Sequence, residues 1–197
     1  MKDDSSCCQD KSSYNDEGVC CGESSCCGES SCCDESSKNE IKIDFLYLDL
    51  TVCERCQGAE SNLDAAIRDV SAVLKAAGFS IHVNSVNITT RELANEYRFL
   101  SSPTIRINGK DIALEVKESL CEDCGELCGD AVDCRVWSYQ GEEYTEAPRE
   151  MIVNAILKEI YGEHKSEYSD NMPADEYVMP ENLSHFFDLI EARMDSV

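Results

Sequence analysis

The cysteines of this chain fall into three patterns, and each pattern limits what its own stretch can fold into. Of 197 residues, 14 are cysteine. Eight stand as adjacent pairs before residue 41: Cys7-Cys8, Cys20-Cys21, Cys26-Cys27 and Cys32-Cys33. Two stand in Cys53-Glu54-Arg55-Cys56, directly after a β-rich apolar run. The other four, Cys121, Cys124, Cys128 and Cys134, are packed into 14 residues. The chain opens without the apolar stretch of a secretory signal, so the expected compartment is the reducing cytoplasm. There, cysteine pairs serve as metal ligands or reactive thiols more often than as structural disulfides.

Charge divides the chain into three parts. Forty acidic residues against 17 basic ones give a formal net charge of −23. That balance argues against nucleic acid and against anionic membrane surfaces, both of which attract basic patches. No run of 18 apolar residues occurs, so no membrane-spanning helix is expected. Residues 1–40 carry ten acids and three lysines with a six-residue repeat, Cys-Cys-Gly-Glu-Ser-Ser, whose third copy has Asp34 for glycine. Val19 and Tyr14 are too little to build a core, so this part is expected to be a disordered acidic tail. Neighbouring cysteines make poor disulfides but good ligands for soft ions, so the tail is expected to take Cu(I), Zn, Hg(II) or As(III). Residues 163–197 carry nine acids and two bases. They read as a linker followed by a short amphipathic helix starting near Asn182, with Leu183, Phe186, Phe187, Ile190 and Met194 on one face. Its default partner is its own domain.

Residues 41–162 hold most of the aliphatic residues and read as an α/β domain. Ile41 to Thr51 is a strand whose second half is apolar on both faces, as a buried strand requires. After Cys56, apolar positions at Ala59, Leu63, Ala66, Ile67, Val70, Val73, Leu74 and Ala77 predict a helix that Gly78 ends. Ile81, Val83, Val86 and Ile88 predict a second strand with a change of phase, read as a bulge. His82 within it is expected to be packed. Thr89-Thr90-Arg91-Glu92 fits a capping box for a short helix through Tyr97. Asn108-Gly109 is a hairpin signal between Thr104–Ile107 and the run through Ile112, Leu114 and Val116. Thr145 opens a last helix with Met151, Ile152, Ala155, Ile156 and Ile160 on its apolar face. The order β-α-β-α-β-β-α calls for a mixed sheet flanked by helices.

An apolar first strand, Cys53-Glu54-Arg55-Cys56 at the next helix start, and Ser102-Pro103 before a hairpin together resemble the thioredoxin-like superfamily. Within it, residues 41–161 are similar to a little-characterised prokaryotic thioredoxin-like family known only as a domain of unknown function. The resemblance implies that Pro103 is the cis-proline opposite the cysteine pair and that the Ser102 backbone is free to bind an extended substrate strand. It implies a thiol–disulfide oxidoreductase with Cys53 as nucleophile and Cys56 as resolving thiol. The helix N-terminus stabilises a Cys53 thiolate in any case, because unpaired N–H groups and the positive end of the dipole face it. The chain departs from the family in Val52, where an aromatic is usual, and in lacking proline and glycine between the cysteines. The usual buried acid is also missing; Asp49 either replaces it or caps the strand end.

The insert at 119–135 supports two readings. Cys121, Cys124, Cys128 and Cys134 suit a tetrathiolate zinc site, since zinc offsets the repulsion from Glu122, Asp123, Glu126, Asp130 and Asp133. Alternatively they form disulfides that relay electrons to Cys53 and Cys56. The leading expectation is a thioredoxin-like oxidoreductase coupled to soft-metal or metalloid handling, with thiol- or disulfide-bearing clients. The alternative is a non-catalytic metal or metalloid binding or resistance protein in which the same thiols are ligands.

Overall fold

A computed structural model describes residues 39–162 and 177–194. The expectations for the tail cysteines and for the linker at 163–176 lie outside those residues. Among the described residues no helix is long and apolar enough to cross a membrane.

The elements run β1 (Glu40–Tyr47), α1 (Glu54–Ala76), β2 (Ser80–Asn87), α2 (Arg91–Glu96), β3 (Thr104–Ile107) and β4 (Lys110–Asp111). Next come β5 (Lys117–Leu120), α3 (Glu122–Cys128), β6 (Asp133–Tyr139), β7 (Glu142–Tyr144), α4 (Arg149–Tyr161) and α5 (Glu181–Met194). The architecture is mixed α/β, but it holds two sheets where one was expected. The first has the order β2-β1-β3-β4, with β1 parallel to β2 and antiparallel to β3. The second is an antiparallel sheet, β5-β6-β7, built from the insert and the run around Trp137.

Local chemistry explains most of these elements. Asn108 and Gly109 take φ of 50° and 81°, the two left-handed positions of a tight hairpin turn between β3 and β4. Thr90 is the N-cap of α2, its hydroxyl accepting from the Leu93 N–H at 3.3 Å, so the cap falls one residue later than a box begun at Thr89. The bulge expected in β2 is absent: the register runs unbroken from Glu40↔Ser80 to Tyr47↔Asn87. β2 is an edge strand, open on most of its length, and nothing forces its apolar residues into strict alternation. For the same reason His82 is exposed rather than packed. α4 begins at Arg149 rather than Thr145, with Pro148 in extended conformation before it.

Two cores result. Ile41, Ile43 and Phe45 of β1 face one, with Leu63, Val70 and Leu74 of α1, Ile105 and Ile107 of β3, and Ile152 and Ile156 of α4. Leu46, on the other face of β1, and Leu48, just past its end, enter a second core with Ile88, Ala94 and Phe99. Six cysteines, Val132 and three residues of α5, Leu183, Phe186 and Phe187, complete it.

Candidate metal centre

The centre is assembled from three separated segments. β1 ends in a loop that Asp49 fixes, its Oδ1 accepting from the N–H of Thr51 (2.6 Å), the N–H of Val52 (2.9 Å) and the Thr51 hydroxyl (2.7 Å). Of the two roles open to Asp49, this is the strand-end turn. Cys53 follows as the N-cap of α1, and its thiol makes no capping bond. Cys121 is likewise the N-cap of α3 without a side-chain capping bond, and Cys124 lies in that helix's first turn. Cys134 comes from β6, paired with Ser119 of β5.

The residues between Cys53 and Cys56 act as straps. The Glu54 N–H, the first orphan donor of α1, is satisfied by Asp123 Oδ2 at 2.8 Å, 69 residues away. Arg55 donates to the carbonyls of Ser119 (3.2 Å), Leu120 (2.6 Å) and Cys134 (3.4 Å) and to the Ser119 hydroxyl (3.0 Å). These bonds hold the insert against the start of α1. From the far side, Asn182 of α5 bonds both backbone groups of Asp133 (3.0 and 2.8 Å) and Glu118 (3.1 Å). Arg193 caps the last carbonyls of α3 through Leu127 (2.5 Å) and Glu126 (3.5 Å).

The result is a quartet. The sulfurs of Cys53, Cys121, Cys124 and Cys134 all lie within 4.8 Å of one another. No member is more than 2% exposed, and the Cys134 thiol approaches Cys124 Sγ at 3.3 Å. A tetrahedron with metal–sulfur bonds of about 2.3 Å needs sulfurs about 3.8 Å apart, and the quartet is of that size. All four donors are thiols, with no histidine or carboxylate among them, which suits zinc or a softer ion. Two helix N-termini converge on the group and favour negative charge there.

Mutual hydrogen bonding splits the thiols. Bonds from Cys121, then Cys124, Cys134 and Cys56, hold Cys53 far below the usual thiol range against the opposing effect of burial. Cys121 is lowered to about 7, chiefly by Cys124 and Cys134. Cys124 is pushed up by its bond to Cys121, and Cys134 by its bonds to Cys121 and Cys124.

The expected site residues separate here. Cys53 joins the insert cysteines, and Cys128, the fourth ligand expected within 121–134, lies outside the quartet. Its thiol turns to the carbonyls of Asp130 (3.5 Å) and Gly125 (3.8 Å). Cys56 also lies outside, fully buried, with Sγ 3.4 Å from the Ser102 hydroxyl. Its acidity is suppressed by its bond to Cys53 and by burial. The Ser102–Pro103 bond is cis and Pro103 is buried. The resemblance implied a free Ser102 backbone, but the Ser102 carbonyl accepts from the Arg135 N–H at 2.7 Å. β6 of this same chain occupies that place. All six described cysteines are free thiols in this structure.

A cleft of about 320 Å³ opens beside the quartet, lined by Cys121 and by Glu54, Glu122, Asp123 and Glu146 among others. The sequence carries a partial signal: Cys-Glu-x-Cys recurs at 53–56 and 121–124, which takes in three of the four ligands, adds Cys56 and leaves out Cys134.

Residues 41–156 match a protein family described as "Domain of unknown function (DUF2703)". No curated protein and no solved structure matches the chain.

Proposed function

Since the chain belongs to the DUF2703 family, whose description assigns no activity, we propose from its site that it is a thiol-based metal-binding protein. The ion is held by Cys53, Cys121, Cys124 and Cys134. The observation that carries this reading is the burial of four converging sulfurs drawn from a loop, a helix and a strand. Four thiols packed together in hydrocarbon are poorly solvated, and an ion that accepts four sulfur ligands relieves that cost. Zinc is the first choice, because protein thiols fill all four positions and, among the described residues, no fifth group joins them. The eight early cysteines extend the same chemistry to softer ions and metalloids, on the thiol density of their sequence. The test is elemental analysis of full-length protein purified under reducing conditions, with those eight cysteines replaced by serine. One zinc per chain is expected, falling to none in the further variant Cys124→Ser. A protein that carries no ion and takes up none on dialysis against zinc refutes the reading.

A second reading, a thioredoxin-like exchange of disulfides with clients, is favoured by the placement of Cys56 one helical turn beyond Cys53. Against it stand the closed Ser102 backbone and the full burial of Cys53. Reduction of insulin by the full chain, lost in Cys53→Ser, is the outcome that would revive it.

A further inference from the structure

Cys53 belongs to two sets of thiols at once. It is one corner of the quartet, and as the N-cap of α1 it stands three residues before Cys56 in that helix's first turn. Cys56 has no place in the quartet, yet it is fully buried, and its hydrogen-bond partner among the described residues is the Ser102 hydroxyl at 3.4 Å. A structural thiol in hydrocarbon needs no such position. A thiol three residues from a ligand, on the same helix face, is placed to capture that ligand's sulfur when it is oxidised.

We infer that metal ligation and a Cys53–Cys56 disulfide are mutually exclusive states of this protein, and that a small hydroperoxide drives it from the first to the second and so releases the ion. The inference rests on the metal-binding reading above. The chemistry balances as follows. The Cys53 thiolate attacks the O–O bond of hydrogen peroxide, forming Cys53–SOH and releasing hydroxide. The Cys56 thiol then attacks that sulfur, forming the Cys53–Cys56 bond, and the sulfenic oxygen leaves as water with the Cys56 proton. Two protein thiols are oxidised, and one peroxide is reduced to two waters once hydroxide is protonated. The ion is left with Cys121, Cys124 and Cys134, three sulfurs of a four-sulfur shell.

The oxidant's class follows from the approach. The cleft beside the quartet ends at Cys121 and at Glu54, the residue after Cys53, and four acids (Glu54, Glu122, Asp123 and Glu146) outnumber its one cation, Arg55. An anionic disulfide such as oxidised glutathione is repelled there. A neutral molecule little larger than water is not.

The experiment uses the full chain with the eight early cysteines changed to serine, loaded with zinc. Hydrogen peroxide is added, zinc release is followed with a chromogenic chelator, and disulfides are mapped by alkylation and mass spectrometry. Release is expected with a Cys53–Cys56 disulfide and is reversed by a dithiol. Cys56→Ser is expected to bind the same one zinc and to release it at least tenfold more slowly. Cys128→Ser is expected to behave as the parent. Equal release from parent and Cys56→Ser, or disulfides confined to Cys121, Cys124 and Cys134, overturns the inference while leaving the metal site standing. A parent that binds no zinc overturns both. Should Cys56→Ser fail to fold, the mapping in the parent decides alone.

Discussion

The two cores of this domain are built from opposite materials. The first is hydrocarbon: Ile41, Ile43 and Phe45 of β1 press against Leu63, Val70 and Leu74 of α1 and Ile152 and Ile156 of α4. The second is rich in sulfur, with Cys53, Cys56, Cys121, Cys124, Cys128 and Cys134 among its buried residues. The segments that meet there are short. α3 has seven residues and β5 four, so neither has much secondary structure of its own to lean on. The first core is stabilised by area removed from water. The second holds four thiols placed to bind an ion, and on the function proposed above that ion supplies part of its stability.

The largest effect that can break this comparison is loss of the ion. Zinc held by a closed thiolate site contributes on the order of 10 kcal/mol to folding, so removing one ligand costs about 3 kcal/mol, roughly a hundredfold in affinity. Cys124→Ser is therefore expected to weaken zinc at least a hundredfold. Amide exchange should rise across β5, α3 and α5 while β1 and α1 stay protected. Uniform loss of protection would show that the two cores unfold as one.

The reverse substitution comes next. Phe45 is fully buried in the first core, against Ile105 across the β1–β3 ladder. Phe45→Ala should cost about 4 kcal/mol by deleting a ring the core cannot refill. Denaturant melts with and without zinc should show the same loss, whereas the Cys124→Ser loss should vanish once zinc is withheld.

The same contrast explains what the sequence made legible. The first core follows from periodicity: the 3–4 spacing of Ala59, Leu63, Ala66, Val70 and Leu74 marks the buried face of α1. The adjoining Asn108-Gly109 turn is chemistry written in two residues. Val73 fits the same spacing yet is 59% exposed, because the stripe facing the sheet is narrower than the apolar pattern. The metal centre is non-local, and no window of sequence shows that Cys53 meets Cys121, Cys124 and Cys134. The straps that bring them together, Glu54 to Asp123 and Arg55 to Ser119, span 69 and 64 residues and use ordinary surface residue types. Cys128 has the right spacing for a ligand and the wrong direction, since α3 ends at Gly129 and turns its thiol back to Asp130. The second sheet escaped notice because β5 reads Lys-Glu-Ser-Leu, with no alternation to detect.

The smallest expected effect tests the wall between the two cores. β6 sends Cys134 into the sulfur core and Trp137 into the hydrocarbon core. Arg135, fully buried, lies between them, its guanidinium carbon 5.1 Å from the Trp137 ring centre. Asp111 holds it through both carboxylate oxygens at 2.8 Å, and its Nε and Nη2 have no hydrogen-bond partner among the described residues. Asp111→Ala would strand a buried cation. Breaking a fully buried pair this way costs about 3–5 kcal/mol, but Asp111 is partly open to water, so about 2 kcal/mol is expected. Arg135→Met with Asp111→Asn should recover most of it, since the charge goes with its partner. The informative measurement is zinc affinity in Asp111→Ala. If β6 is a rigid wall, Cys134 stays in place and affinity changes less than about threefold, within what independent sites show. A larger loss would mean that the hydrocarbon core sets the position of a ligand, and that the two halves of the domain are one cooperative unit.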